Sequence, residues 1–272
     1  MTSTNATSDL VTTERLEGGV TVVRLNRPDS LNAFNLDLVD ALEASLEALR
    51  SDADTRVIVL GAEGRAFSAG LDLADMRPIP GTEEFGRVQA GLAAQERLVS
   101  LVPLIHHHPK PIIAAVGGAA VGMGMAIALA ADIRVMGPKG SFAAAFIRVG
   151  LGACDFGVSY LLPKLAGAGA AAEILLTGRK VPADEALALG LTTAVVDEPI
   201  DKAIEIATAI TAHSPFGVAM TKQVLWTNLA APSLEAAMAI ENRTQTLALL
   251  TEDMGEAVGA FLEKRPANYT NR

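Results

Sequence analysis

Cysteine is almost absent from this 272-residue chain. Cys154 stands alone, so no disulfide can close within it, and a reducing compartment, the cytoplasm, is the expected home. Aromatic residues make up only 4 % of the chain, yet half of it is apolar, so a sizeable core must be built from small and aliphatic side chains. Abundant Ala and Gly then imply close backbone packing and many helices. Basic residues are outnumbered, 22 against 31 acidic ones, and a net charge of −9 argues against nucleic acid as a partner. The first eight residues have neither a basic nor an apolar targeting region. Residues 1–10 are therefore expected to form a disordered tail.

Charge is also missing between Lys110 and Asp132, a stretch long enough to raise the question of a membrane span. Gly117, Gly118, Gly122 and Gly124 interrupt it, its first half is β-branched and its second half Ala-rich. A buried strand, a glycine loop and a buried helix account for it better, and no membrane partner is expected.

Periodicity predicts strands at 11–16 and 20–25 joined at Gly18-Gly19, then an amphipathic helix over 35–50. A buried strand at 57–60, a helix at 85–101, a strand at 112–116, a helix at 124–131 and a strand at 133–135 follow. Beyond Pro163 helices dominate (183–189, 200–212, 215–228, 233–250), with one short strand at 193–196. The fold class is α/β, with a core over 11–200 and a helical region over 201–272.

Two small-residue loops follow β-branched runs: Ala66-Phe67-Ser68-Ala69-Gly70-Leu71-Asp72-Leu73 and Gly117-Gly118-Ala119-Ala120-Val121-Gly122-Met123-Gly124-Met125-Ala126. Each offers backbone N–H groups with little bulk in front of them. Two such groups aimed at one point can hold a thioester oxygen as it becomes an enolate. The plainer alternative is a pair of tight strand-to-helix turns.

These loops sit in an ordered series: Leu25-Asn26-Arg27-Pro28, Leu31-Asn32-Ala33-Phe34, Ala66 to Leu73, Lys110 to Val116, Gly118 to Gly124, Ala131-Asp132-Ile133-Arg134, Leu176-Thr177-Gly178-Arg179, Ala183 to Leu191 and Phe261 to Arg265. Spanning about residues 20–266, the series resembles the enoyl-CoA hydratase/isomerase family, or crotonase superfamily. That resemblance implies a crotonase-like spiral of ββα turns with C-terminal helices that pack on a neighbouring subunit, in trimers or paired trimers. It implies an acyl-CoA thioester as substrate, with no separate cofactor or metal. The Leu71 and Met123 N–H groups fall at the oxyanion donors, with the positive end of a helix starting near Met123 behind them. Backbone around Ser30 to Ala33 and around Ala69, Gly70, Asp72 and Leu73 falls at the CoA site, beside Gly122. Arg27, Lys264 and Arg265 are candidates for its phosphates. The helix at 85–101 and the loop 76–82 are expected to shape the acyl pocket.

The acid–base residues depart from the family pattern. Typical hydratases of the family use two glutamates to position and activate water, and these positions fall on Ala126 and Phe146. Neither side chain can carry a proton, so both become pocket walls. The segment Asp155-Phe156-Gly157-Val158-Ser159 resembles members in which an aspartate is catalytic, among them dienoyl-CoA isomerases, ring-epoxide-type isomerases and chlorobenzoyl-CoA dehalogenases. Asp155 is thus a candidate general base, one that apolar walls from Leu151, Ala153, Cys154, Phe156 and Phe146 would make more basic. It is equally readable as the N-cap of a helix starting near Phe156. Isomerisation needs one such carboxylate; hydration needs an activated water as well. A thioester-binding protein without turnover and a hydrolase or dehalogenase with Asp155 as nucleophile are the alternatives.

Other motifs carry less. Gly167-Ala168-Gly169-Ala170-Ala171-Ala172 follows a helical pattern rather than a strand, which argues against a dinucleotide site. Ala66 replaces the first glycine of a nucleophile elbow. His106-His107-His108 precede Pro109, cannot share one helix face, and are expected at a helix end in a surface loop rather than on a metal.

Overall fold

A computed structural model describes residues 9–75 and 77–272. The tail expected at 1–10 lies outside the described residues up to residue 8, as does Met76 of the loop expected at the acyl pocket. In chain order the elements are β1 (Val11–Arg15), β2 (Val20–Leu25), α1 (Leu36–Ser51), β3 (Val57–Ala62), β4 (Ala66–Ser68), α2 (Arg87–Val99), α3 (Leu101–His106), β5 (Ile112–Val116), β6 (Ala119–Val121) and α4 (Met123–Ala130). There follow β7 (Ile133–Met136), β8 (Ser141–Ala143), α5 (Val158–Ala166), α6 (Ala168–Thr177), β9 (Lys180–Pro182), α7 (Ala183–Ala188) and β10 (Ala194–Val195). Four helices close the chain: α8 (Pro199–Thr211), α9 (Pro215–Asn228), α10 (Leu234–Leu249) and α11 (Glu252–Glu263).

The spiral follows from how these strands pair. The larger sheet has the order β1-β2-β3-β5-β7-β10, parallel except for the β1–β2 hairpin. A smaller sheet has the order β4-β6-β8-β9, parallel except for β9. Each turn of chain therefore lays one strand in the large sheet and the next in the small one (β3 then β4, β5 then β6, β7 then β8) before a helical segment returns it.

Side chains of the large sheet alternate between two layers, as the period of two requires. Ile58 and Leu60, then Ile112, Ala114 and Val116, face a core shared with α1, α3 and α4. Val57, Val59, Ile113 and Ala115 face the other way, onto Ala203, Ala207, Ile200 and Ile204 of α8. Covering both faces explains the unbroken apolar runs, and each fully buried aliphatic side chain contributes about 1.5–3 kcal/mol. Residues just past 200 thus continue the layered core. Helix α1 begins where Asn35 Oδ1 accepts from Leu38 N at 3.0 Å, and it buries Leu38, Leu42, Leu46 and Leu49.

The Ala131 to Arg134 motif is structural here. Buried Arg134 donates to the carbonyls of Ala131 and Leu129 at the end of α4 and to Leu191 O, and burial pushes its pKa down to about 10. Asp132 accepts from Ile112 N at 2.8 Å and Trp226 Nε1 at 2.9 Å, and pairs with buried Lys222 at 2.8 Å. That ion pair ties α9 to the sheet.

Several expectations are corrected. The small sheet is absent from the predicted elements: Ala66–Ser68 and Ala119–Val121 fall inside the two small-residue loops, and strands of three residues are too short to alternate visibly. The helix predicted over 85–101 is α2, and a separate short helix, α3, follows it from Leu101 to His106. The histidines do end a helix, but His108 is not in a surface loop. It is 1 % exposed, its ring nitrogens lie 3.2 Å from Leu46 O and Lys110 O, and burial lowers its pKa to about 4.

Candidate active site

The two glycine loops meet because the strands before them are parallel neighbours, with Ala66 opposite Ala119 and Ser68 opposite Ala120. Both strands then end side by side. After β4, Ala69 N donates to Leu31 O at 2.9 Å and Gly70 N to Ser68 Oγ at 3.1 Å. Phe34 forms a parallel bridge to Leu71, taking Gly70 O (2.7 Å) with its N–H and giving its own carbonyl to Asp72 N (2.9 Å). In that pattern the N–H of Leu71 points away from Phe34, toward the other loop. After β6, Gly122 N donates to Ala143 O at 2.8 Å, and α4 starts at Met123. As the first residue of a helix, Met123 has no acceptor within it for its N–H. Among the described residues neither the Leu71 nor the Met123 N–H has a partner.

Gly70 sets the contact. Its φ is +95°, a conformation L side chains rarely adopt, and a Cβ there would lie 2.8 Å from Val121 O and 3.7 Å from Met123 N. Only a bare Cα lets the loops come this close. Met123 is fully buried and Leu71 half-buried, so an oxygen between the two N–H groups would be sheltered from water at the positive end of α4.

The walls around this pair are apolar. Ala126, in the first turn of α4, is fully buried. Phe146 sits in a 3-10 turn (Ala145–Val149), where one ring carbon lies 3.3 Å from where a Cβ of Gly122 would be. Its ring stacks on Phe156 with centroids 5.7 Å apart and planes 10° from parallel. This chain of contacts leads from the second loop to the residue next to Asp155.

Asp155 opens a tight turn: Val158 N donates to its carbonyl at 2.9 Å, and φ is +48° at Phe156 and +73° at Gly157. Positive φ at both central residues is the type I′ pattern, which a Phe adopts at a cost of about 1–3 kcal/mol. Its burial and stacking on Phe146 offset that cost. Within the turn Asp155 Oδ1 accepts from Phe156 N at 2.7 Å and from Gln95 Nε2 of α2 at 2.5 Å. Two expectations are corrected here. Gly157, not Asp155, is the N-cap of α5, since the aspartate bonds the next residue's N–H rather than one two or three residues on. The apolar wall is one-sided: Ala153, Phe146 and Phe156 are buried, but Leu151 is 54 % exposed and Cys154 is exposed too.

Residues expected at the CoA end are largely engaged with each other. Arg27 donates to Ala33 O at 2.6 Å and pairs with Asp72 at 3.2 Å, so it braces the first loop rather than awaiting a phosphate. Ser30 is exposed, but its carbonyl accepts from Ala33 N. Asn32, fully buried, locks the same segment by donating to Glu63 O and Ala66 O. Arg265 pairs with Glu256 and Glu263. The Lys264 side chain is exposed with no partner among the described residues, and Leu73 is 64 % exposed beside the first loop. A cleft of about 810 Å³ lies elsewhere, between α3, α5 and α9, lined by His106, Tyr160, Lys222 and Trp226. Its walls carry no carboxylate, and Lys222 is already paired.

The sequence model of the enoyl-CoA hydratase/isomerase family matches residues 15–272. The chain belongs to that family. Enzymes of the enoyl-CoA hydratase/isomerase family process acyl-CoA thioesters, and this chain is one of them. It is 38 % identical over 269 residues to a probable enoyl-CoA hydratase of Mycobacterium tuberculosis, covering 98 % of this chain and 94 % of that one. It is 32 % identical over 259 residues to the 1,2-epoxyphenylacetyl-CoA isomerase of Escherichia coli, covering 94 % and 97 %. The crystal structure of a probable enoyl-CoA hydratase/isomerase from Mycobacterium abscessus superposes with a TM-score of 0.89 at 34 % identity, over 97 % of this chain and 99 % of that one. The crotonase fold expected from the motif series is the fold found.

Sequence reasoning overlooked Gln95 and the braces Phe34 and Ser68. Asp155-Phe156-Gly157 did carry a turn signal in its Asp and Gly, but nothing in the pattern around Gln95 pointed toward residue 155.

Proposed function

We propose that this enzyme shifts the double bond of an enoyl-CoA thioester, with the Leu71 and Met123 N–H groups as oxyanion donors and Asp155 as the single general base and acid. The observation that carries this reading is the pairing of two N–H groups that have no partner among the described residues with apolar residues at both glutamate positions, while one Asp155 carboxylate oxygen likewise has no partner among the described residues. On a 3-enoyl thioester, Asp155 takes a proton from C2 and the electron pair moves through the carbonyl to its oxygen, giving a dienolate. The two N–H donors hold that oxyanion, each worth about 3–4 kcal/mol in comparable sites. Asp155 then returns the proton at C4, and the double bond lies between C2 and C3. The reaction is redox-neutral and charge develops only on oxygen, so it calls for no metal or redox cofactor; CoA belongs to the substrate. Gly70, Gly122, Ala126 and Phe146 shape the cavity, and the Ser30–Ala33 and Ala69–Leu73 segments border the CoA end.

Hydration is a second reading, favoured by the hydratase named among the relatives. It would require Asp155 alone to activate water. The exposed Leu249, Leu250, Phe261 and Leu262 support a reading in which α10 and α11 pack on a neighbouring subunit, in a trimer or a pair of trimers.

Conversion of 3-hexenoyl-CoA to 2-hexenoyl-CoA tests the proposal. Asp155→Asn should bind the thioester with similar affinity and lose turnover on the order of 10²–10⁴-fold. Turnover retained by Asp155→Asn removes the proposal.

A further inference from the structure

Asp155 immediately precedes Phe156, which stacks on Phe146, and its two carboxylate oxygens differ. Oδ1 accepts both Phe156 N and Gln95 Nε2, while Oδ2 has no hydrogen-bond partner among the described residues. The Phe156 bond comes from within the turn itself and leaves the carboxylate a short-range hinge about its own side-chain bonds. The Gln95 bond comes from 60 residues away, on α2, and crosses to the turn from a separate element.

We propose that Gln95 is a positioning residue for Asp155: by occupying Oδ1 together with Phe156 N, it fixes the carboxylate's rotation and leaves Oδ2 as the oxygen that takes and returns the proton. This rests on the reading of Asp155 as base. A carboxylate held by two donors on one oxygen presents the other in one orientation, and a proton moved between two carbons of one substrate needs that orientation to persist through both transfers. Helix α2 is suited to this work only because it is itself anchored. Arg97, two residues beyond Gln95, pairs with Asp40 and Glu43 of α1 and donates to Ser100 Oγ, and Leu98 is buried. Gln95 is exposed and its side chain carries no charge, so replacing it should not disturb the core.

The test compares wild type with Gln95→Met, which keeps length but cannot donate, and Gln95→Lys, which can donate again. With 3-hexenoyl-CoA, Gln95→Met should lower kcat about tenfold with KM changed less than about twofold and the melting temperature unchanged, while Gln95→Lys recovers part of kcat. In protein carrying ¹³C-carboxyl aspartate, the Asp155 resonance, assigned from its loss in Asp155→Asn, should shift or broaden in Gln95→Met. An unchanged kcat overturns the proposal, and so does an Asp155 resonance superposable on that of wild type, which needs no turnover to observe. Wild type inactive on this probe, or Asp155→Asn as active as wild type, would instead overturn the reading of Asp155 beneath it.

Discussion

Gly70→Ala adds one methyl group and removes no functional group, so it isolates the contact between the two loops. Its cost can be worked out from two features. Holding an L residue at φ +95° costs about 1–3 kcal/mol. The new Cβ would lie 2.8 Å from Val121 O, a backbone atom that can yield only if the chain moves. Together these should destabilise the protein by about 2–4 kcal/mol, lowering its melting temperature by about 4–7 °C. The movement opens the space between the Leu71 and Met123 N–H groups, so kcat with 3-hexenoyl-CoA should fall about 10²–10³-fold, as when an oxyanion donor is lost. Gly64→Ala is the control: φ is +84° and a Cβ would lie 2.8 Å from Pro28 Cβ, in the turn between β3 and β4. It should melt lower by a similar amount and keep its kcat, measured well below both melting points. If Gly70→Ala melts lower but keeps kcat within threefold of wild type, the contact at Gly70 does not set the N–H geometry.

Two further outcomes concern the frame around the site. Lys222→Met leaves the half-buried Asp132 with only Ile112 N and Trp226 Nε1 as donors, and should cost about 2–4 kcal/mol by urea unfolding. The double variant Lys222→Met with Asp132→Asn should regain a good part of that, whereas additive losses would show that the pair is not coupled. His108 stays neutral in the fold because burial lowers its pKa to about 4 from an unfolded value near 6.5. Between these values the unfolded chain binds a proton that the folded one refuses, so His108 leaves stability intact above about pH 6.5 and weakens it as pH falls toward 4. From pH 7 to pH 4.5 wild type should lose about 2–3 kcal/mol more than His108→Gln, and parallel pH dependences of the two proteins would refute this.

What could be read in advance tracks how each feature is encoded. Strands over 20–25 and 112–116 coincide with those found, since runs rich in Val and Ile mark strands. Helix α9 was legible through Pro215 at its start. The small sheet was not, because Ala66–Ser68, Ala119–Val121 and Ser141–Ala143 gain their structure from neighbours rather than from their own pattern. The loops themselves were visible as glycine clusters, yet their convergence depends on β4 and β6 being adjacent, which no local signal encodes. Asp155 stood out by its segment. Its surroundings did not: exposure of Leu151 and Cys154 and the reach of Gln95 are decided by the turn at Phe156 and by α2. Arg27 looked like a phosphate ligand because a lone arginine in a loop shows no partner in sequence, while Asp72 lies 45 residues away.

The central claim is that one carboxylate moves one proton between two carbons of an oxyanion-stabilised dienolate. The direct test converts 3-hexenoyl-CoA deuterated at both C2 positions in ordinary water and locates deuterium in the product by NMR. The account predicts 2-hexenoyl-CoA with deuterium delivered to C4 from C2 in a substantial fraction of turnovers, and no such product from Asp155→Asn. A hydroxyacyl product instead, or a shifted double bond whose formation survives Asp155→Asn, would contradict it.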